Sequence, residues 1–449
     1  MTAVRENAVA LARLALPMIV SRAGLAAFGI ADAIMVSRDA PAQLAMLGLA
    51  DGTLGRIADV FAAFVIGGLI LVPRAFGAGD LAACARIWRR SLPPALGLGV
   101  LAALLGFACA PLFHALGQPD ALASGAGAVA ILLGIGKVAA LPALGAAVFL
   151  EGMKRPAIVA ASVVGANALN VALNALLIGG AGPIPALGAR GSAISTAIVS
   201  AVLALVLATF ARRAVAAPSS AQPPAADAPP RAQPAGLQEK LGLSSAIVGG
   251  IMLLLTMSLT IFAGRLGSLA LAVLAATFTL NAPAMLVILG IADATGIRTA
   301  SHDGAARGPV GALAATSLAV MLAVALAFAA VWCAAPGALA ALFTRDAAMR
   351  AELAAVIPLA SLLLVADGAC FVIVAALRAL RDFVWPTVIE ITTMAALVPL
   401  AAFLAFDASL GVRGLVLAAI ATAFVRAALL GARFVAVTSA APRIVTADA

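Results

Sequence analysis

Apolar residues run through this chain in long blocks, interrupted by short polar or Gly/Pro-rich breaks. Twelve blocks reach the roughly 20 residues needed to cross a bilayer as a helix. They fall at residues 14–36, 54–72, 92–113, 122–147, 156–178, 191–210, 241–263, 269–294, 311–334, 354–377, 383–405 and 414–432. The first is too long, and carries Arg22 and Asp32, to read as a cleaved signal peptide. The pattern predicts an all-α polytopic membrane protein.

Composition supports that reading. Of 449 residues, 64% are hydrophobic and 10% are charged, against roughly 25% charged in soluble domains. Mean hydropathy is +1.15, too apolar for a water-soluble surface. A soluble hydrolase, a nucleic-acid binder and a disordered scaffold all fit poorly as whole-chain readings. The net charge of +9 has a membrane explanation. Eighteen Lys and Arg fall in the two terminal segments and the 2–3, 4–5, 6–7, 8–9 and 10–11 loops, and six in the other loops. The positive-inside rule then places both termini in the cytoplasm. For a bacterial chain this means the inner membrane, and no nucleic-acid partner is needed to account for the charge.

One segment differs in kind. Residues 212–240 are rich in Pro, Ala, Ser and Gln and read as an extended cytoplasmic linker. The chain therefore divides into an N-lobe at 1–211, the linker at 212–240 and a C-lobe at 241–449, with six spans in each lobe. The lobes repeat weakly. Arg13-Leu14-Ala15-Leu16 answers Lys240-Leu241-Gly242-Leu243, and Leu44-Ala45-Met46-Leu47 answers Leu271-Ala272-Val273-Leu274. Before the last helix of each lobe, Leu187-Gly188-Ala189-Arg190-Gly191 answers Leu410-Gly411-Val412-Arg413-Gly414. An even number of spans per repeat gives both lobes one orientation, related by a pseudo-two-fold axis along the membrane normal. Two six-helix lobes around a cavity make a transporter architecture.

Ionisable residues inside spans mark function, because each costs at least about 2.5–3.5 kcal/mol at mid-bilayer. Asp32 lies on the first span and Asp367 near the middle of the tenth. Asn167, Asn170 and Asn174 share one face of the fifth span, and Ser192, Ser195 and Thr196 open the sixth. These amides and hydroxyls can pack helices together, or coordinate a cation or Asp32. Asp59, Asp293 and Glu390 are further buried-acid candidates, with Arg56 one turn from Asp59. Arg22, Lys137 and Arg426 also fall inside spans. Four cysteines without a CxxC pair, and two histidines, predict neither a zinc site nor a disulfide framework; the cysteines read as buried apolar residues. The chain contains no HExxH and no GxSxG, so no enzyme is expected.

The run Leu14-Ala-Leu-Pro17 followed by Ile30-Ala31-Asp32-Ala33-Ile34-Met35-Val36 resembles the first helix of MATE multidrug and toxic compound extrusion transporters. Phe76-Gly77-Ala78-Gly79-Asp80, Glu151-Gly152-Met153-Lys154-Arg155-Pro156, Asn170-Val-Ala-Leu-Asn174, Asp367-Gly368 and Leu377-Arg378-Ala379-Leu380-Arg381-Asp382 continue the likeness in order. It covers nearly the whole chain apart from the linker and is similar to the bacterial NorM/DinF branch. The resemblance implies a monomeric antiporter, without a cofactor, that exports lipophilic or cationic compounds against H+ or Na+. It makes Asp32 and Asp367 the cation-coupling acids and Asn170, Asn174 and Thr196 the polar support of Asp32. Several NorM-like members carry a Glu on the seventh helix where Met252 stands here, which favours H+ over Na+.

Two other transport readings compete. A major-facilitator transporter has two six-helix halves, but residues 72–90 lack that family's Gly-x-x-x-Asp-Arg loop signature. A lipid-linked oligosaccharide flippase of the same superfamily as the MATE transporters often adds further spans and lines its cleft with Arg, and the in-span cations Arg22, Arg56, Lys137 and Arg426 keep that reading open.

Overall fold

The computed structural model describes residues 2–180, 183, 185–216, 236–305 and 310–440. Twelve helices are long and apolar enough to cross a membrane, and we label them α1 to α12: Arg5–Asp39, Pro41–Gly77, Leu81–Ala115, Asp120–Gly152, Pro156–Leu177, Ala189–Ala216, Leu237–Leu266, Ser268–Gly304, Gly311–Ala334, Ala347–Ala379, Val384–Asp407 and Gly411–Ser439. Every apolar block in the sequence lies on one of them. A short additional helix, Pro336–Phe343, lies between α9 and α10. The protein is a multi-pass membrane protein. Most of the 212–240 linker lies outside the described residues.

Helix ends follow local chemistry. Asp80 caps α3 by accepting a hydrogen bond from the Ala83 amide at 2.6 Å, and Asp346 caps α10 through the Met349 amide at 2.7 Å. Both helices therefore begin well before their apolar blocks. Helix α2 also starts earlier than hydropathy indicates. Residues 41–53 continue it through a π-helical turn at Asp51–Gly55, so Asp51 and Gly52 distort the helix without ending it.

The chain packs as two compact units, Leu16–Gly250 and Met1–Ala15 with Ile251–Ala449. The first turns of α1 group with the second half of the sequence, and the start of α7 groups with the first half. Arg298 of α8 holds the early α1 segment by donating to the Asn7 carbonyl at 2.9 Å and to Asn7 Oδ1 at 3.1 Å. Gln238 at the start of α7 donates to the Ile87 carbonyl at 2.9 Å.

Within Leu16–Gly250, α3 and α4 touch backbone to backbone. A Cβ at Gly99 would lie 2.6 Å from Val138 Cα, and one at Gly134 would lie 2.8 Å from the Ala102 carbonyl oxygen. Lipid tails offer no hydrophobic drive between helices, so such close contact supplies the packing energy.

The sequence repeat has a backbone counterpart. Gly188 and Gly411 both take left-handed conformations, with φ of 55° and 56°. A Cβ on Gly414 would sit 2.6 Å from the Leu404 carbonyl oxygen, and Gly191 meets Leu177 in the same way. The LGxRG motif is thus a turn whose first glycine supplies the left-handed residue. Its second glycine lets α6 or α12 approach the preceding helix. Lys154 and Arg381, which end α4 and α10, also match, with φ of 58° and 67°.

Candidate functional site

The unit Leu16–Gly250 brings together four of the five site residues expected from sequence. Asp32, on α1, is 6% exposed. Asn174 of α5 donates to Asp32 Oδ1 at 2.6 Å, and Thr196 of α6 donates to Asp32 Oδ2 at 2.8 Å. Asn174 also reaches Asn170 Oδ1 at 3.3 Å, and Asn170 donates to Ser195 Oγ at 3.3 Å. The network exists because Asn170 and Asn174 lie one turn apart on α5. Asn167, a turn earlier, turns to the α1 backbone and donates to the Gly24 carbonyl at 2.9 Å. It ties α5 to α1 without touching the carboxylate.

Donors surround Asp32, as suits an anion in a low-dielectric setting. One fully buried acceptor close by, Asn174 Oδ1, has no hydrogen-bond partner. The site therefore has spare acceptor capacity beside a carboxylate. Asp32 also opens onto a cavity of about 430 Å³ whose wall includes Leu25, Phe28, Leu133 and Leu203 together with Thr196. The size suits a small amphiphile, and the walls are mostly apolar.

Asp367 sits in different chemistry. Arg426 of α12 donates directly to its Oδ1, and the Arg426 Nε contacts Cys370 Sγ at 3.3 Å. One turn beyond Asp382, Trp385 lies under Arg433, whose Nε reaches Asp382 Oδ2 at 2.6 Å. Arg378 reaches Glu390 Oε2 at 3.2 Å. Asp367, Asp382 and Glu390 are thus clamped by arginines, which pin α10, α11 and α12 together. The two coupling acids expected from sequence have different surroundings: amide and hydroxyl donors at Asp32, a guanidinium at Asp367.

The other in-span charges also find partners. Arg22 lies 3.6 Å from Glu151, whose side chain is almost wholly buried. Sequence reading missed this pair, although Glu151 stands in a quoted motif, because nothing local links it to α1. Arg56 lies 3.7 Å from Asp59 on an exposed face, as the one-turn spacing suggests. Lys137 of α4 instead lines the cavity with Asp32. Cys84, Cys109 and Cys370 are buried, but Cys333 is exposed. The reading of all four cysteines as buried is corrected there: Cys333 lies at the end of α9, away from the packed core.

Comparison with known proteins gives the lineage of this arrangement. The MatE family profile matches residues 17–176 and 245–403, one stretch in each half. The chain belongs to the MatE family. A probable multidrug resistance protein NorM of Caulobacter vibrioides is 31% identical over 443 residues, covering 96% of this chain and 92% of that protein. A multidrug resistance protein NorM of Burkholderia vietnamiensis is 29% identical over 435 residues, covering 91% of this chain and 90% of that one. Among solved structures, a MATE crystal structure in a bent conformation superposes with a TM-score of 0.84 at 22% identity, covering 96% of both chains. An outward-facing multidrug resistance MATE transporter gives 0.83 at 22% identity, again covering 96% of both. These likenesses establish the MATE fold for the chain.

Proposed function

We propose that this MatE-family protein is a proton-coupled antiporter that exports lipophilic and cationic compounds across the bacterial inner membrane, as a monomer with both termini in the cytoplasm. The observation that carries the reading is Asp32: a buried carboxylate held by Asn174 and Thr196 at the edge of an apolar cavity. Intramembrane acids facing a cavity mark ion or substrate pathways. A proton and a cationic compound cannot both neutralise one carboxylate, so binding of one releases the other. That mutual exclusion is antiport. Asn170, Asn174 and Thr196 orient the carboxylate. Asp367 is the second acid of the cycle, acting through its Arg426 partner. The proton is preferred over Na+ because Met252 supplies no carboxylate on α7.

The test is export in proteoliposomes under an imposed pH gradient. Asp32→Asn keeps the side-chain volume and removes the charge, so it should abolish pH-driven export while the protein still inserts. Normal transport by Asp32→Asn would overturn the reading. A strict Na+ requirement at constant pH would reject the proton.

A further inference from the structure

The cavity that holds Asp32 is also lined by a cation, Lys137. Lys137 lies near the middle of α4, which runs from Asp120 to Gly152, and so at mid-membrane by position. Arg22, Arg56 and Arg426 each have a carboxylate within 4 Å. Among the described residues, no ion pair of that kind and no side-chain hydrogen bond engages the Lys137 ammonium. Asp51 lines the same cavity from the π-helical turn of α2. An ammonium in such a place is costly to insert, and one that lines a cavity with no carboxylate within 4 Å points to a ligand.

We infer that Lys137 is a specificity-determining residue that receives an anionic group of the transported compound, so that the cavity prefers amphiphiles carrying a carboxylate, sulfonate or phosphate over simple monocations. This rests on the reading of the cavity as the substrate site and names the substrate class it takes. Leu25, Phe28, Leu133 and Leu203 supply the apolar walls. A charge-assisted contact inside such walls is stronger than in water. A ligand bearing only a positive charge would gain from Asp32 and Asp51 but be repelled by Lys137. A ligand bearing both signs would satisfy both kinds of charge in the lining.

The test uses a rhodamine with a free carboxylate and its methyl ester, which differ in that one charge. Binding to the purified full-length protein is measured by fluorescence polarisation, alongside export from proteoliposomes. The parent protein should bind the acid more tightly than the ester. Lys137→Met, which keeps the length and loses the charge, should weaken acid binding by about tenfold or more, the effect of one charge-assisted hydrogen bond. It should leave the ester unchanged or bound more tightly, and Lys137→Arg should restore the preference. Equal effects on both dyes, or on neither, would overturn the proposal. Tighter binding of the ester than of the acid by the parent would also overturn it, while leaving the substrate-site reading intact. Binding of neither dye by the parent would remove both.

Discussion

The Arg426–Asp367 pair permits a quantitative test of what holds α10 against α12. Its side chains keep 11% and 22% of their surface, so water does little to screen them. Replacing Arg426 with Met strands the Asp367 carboxylate and releases Cys370 Sγ, which Arg426 also contacts. Removing one partner of a buried pair costs about 3–5 kcal/mol. A stranded carboxyl can escape by taking a proton, at about 1.4 kcal/mol for each pH unit above the ordinary aspartic value, or roughly 4 kcal/mol at neutral pH. That escape caps the penalty, so Arg426→Met should lose about 3–4 kcal/mol of unfolding free energy at neutral pH. The deficit should shrink as pH falls toward 5, because protonation becomes cheaper. Asp367→Leu should cost less, since Glu390 also lies in the field of Arg426. The double variant should come within about 1 kcal/mol of the parent, because a buried pair is replaceable by apolar groups. Denaturant unfolding in detergent, followed by Trp fluorescence at two pH values, measures all three. If the double variant is no more stable than Arg426→Met alone, or if the deficit is flat with pH, the pair is not the clamp described here.

Further outcomes follow from other parts of the structure. Thr196→Val removes one donor to Asp32 and keeps its volume, so pH-driven export should slow by up to about tenfold without a loss of stability beyond about 1.5 kcal/mol; an unchanged export rate would show that Thr196 does not orient the carboxylate. Gly134→Leu would drive a side chain into the α3 backbone at Ala102, and should destabilise far more than Gly165→Leu, where a Cβ meets nothing within 4 Å; thermal denaturation compares them. In a Cys333→Ala background, a cysteine at Ala42 should label with an impermeant thiol reagent from outside the cell and one at Ser219 only after permeabilisation; labelling of both from one side would overturn the twelve-span topology.

Much of the architecture was legible because membrane helices advertise themselves by length and hydropathy. The start of α2 was not. Asp51 and Gly52 interrupt its apolar run, and only a π-helical turn, which has no simple sequence signature, carries the helix through them. The start of α3 was hidden in the same way, by the basic residues Arg86, Arg89 and Arg90, and is revealed by the Asp80 cap. At the site, Asn170 and Asn174 could be placed on one face from their spacing alone. That the face meets Asp32 is a long-range fact, which the MATE resemblance supplied and periodicity could not. Arg22–Glu151 and Asp367–Arg426 show the limit. Each charge was visible as an oddity, but nothing local in the sequence names the partner across the fold. Lys137 was visible too, as one of four in-span cations; the partners of the other three distinguish it.

The matched left-handed residues Lys154 and Arg381 bear on how the chain evolves. A residue with a Cβ pays about 1 kcal/mol or more in that conformation, where glycine pays nothing, so glycine would suit the backbone better at both helix ends. Both positions hold a basic residue instead, in loops that the charge count assigns to the cytoplasm. Insertion into the membrane reads Lys and Arg in short loops and ignores backbone strain. Each position thus carries a charge that insertion reads, on a backbone conformation that glycine would hold without strain. Lys154→Gly or Arg381→Gly should relieve the backbone at the helix end while weakening the charge bias that keeps these loops in the cytoplasm, so a larger share of the chains should insert upside down.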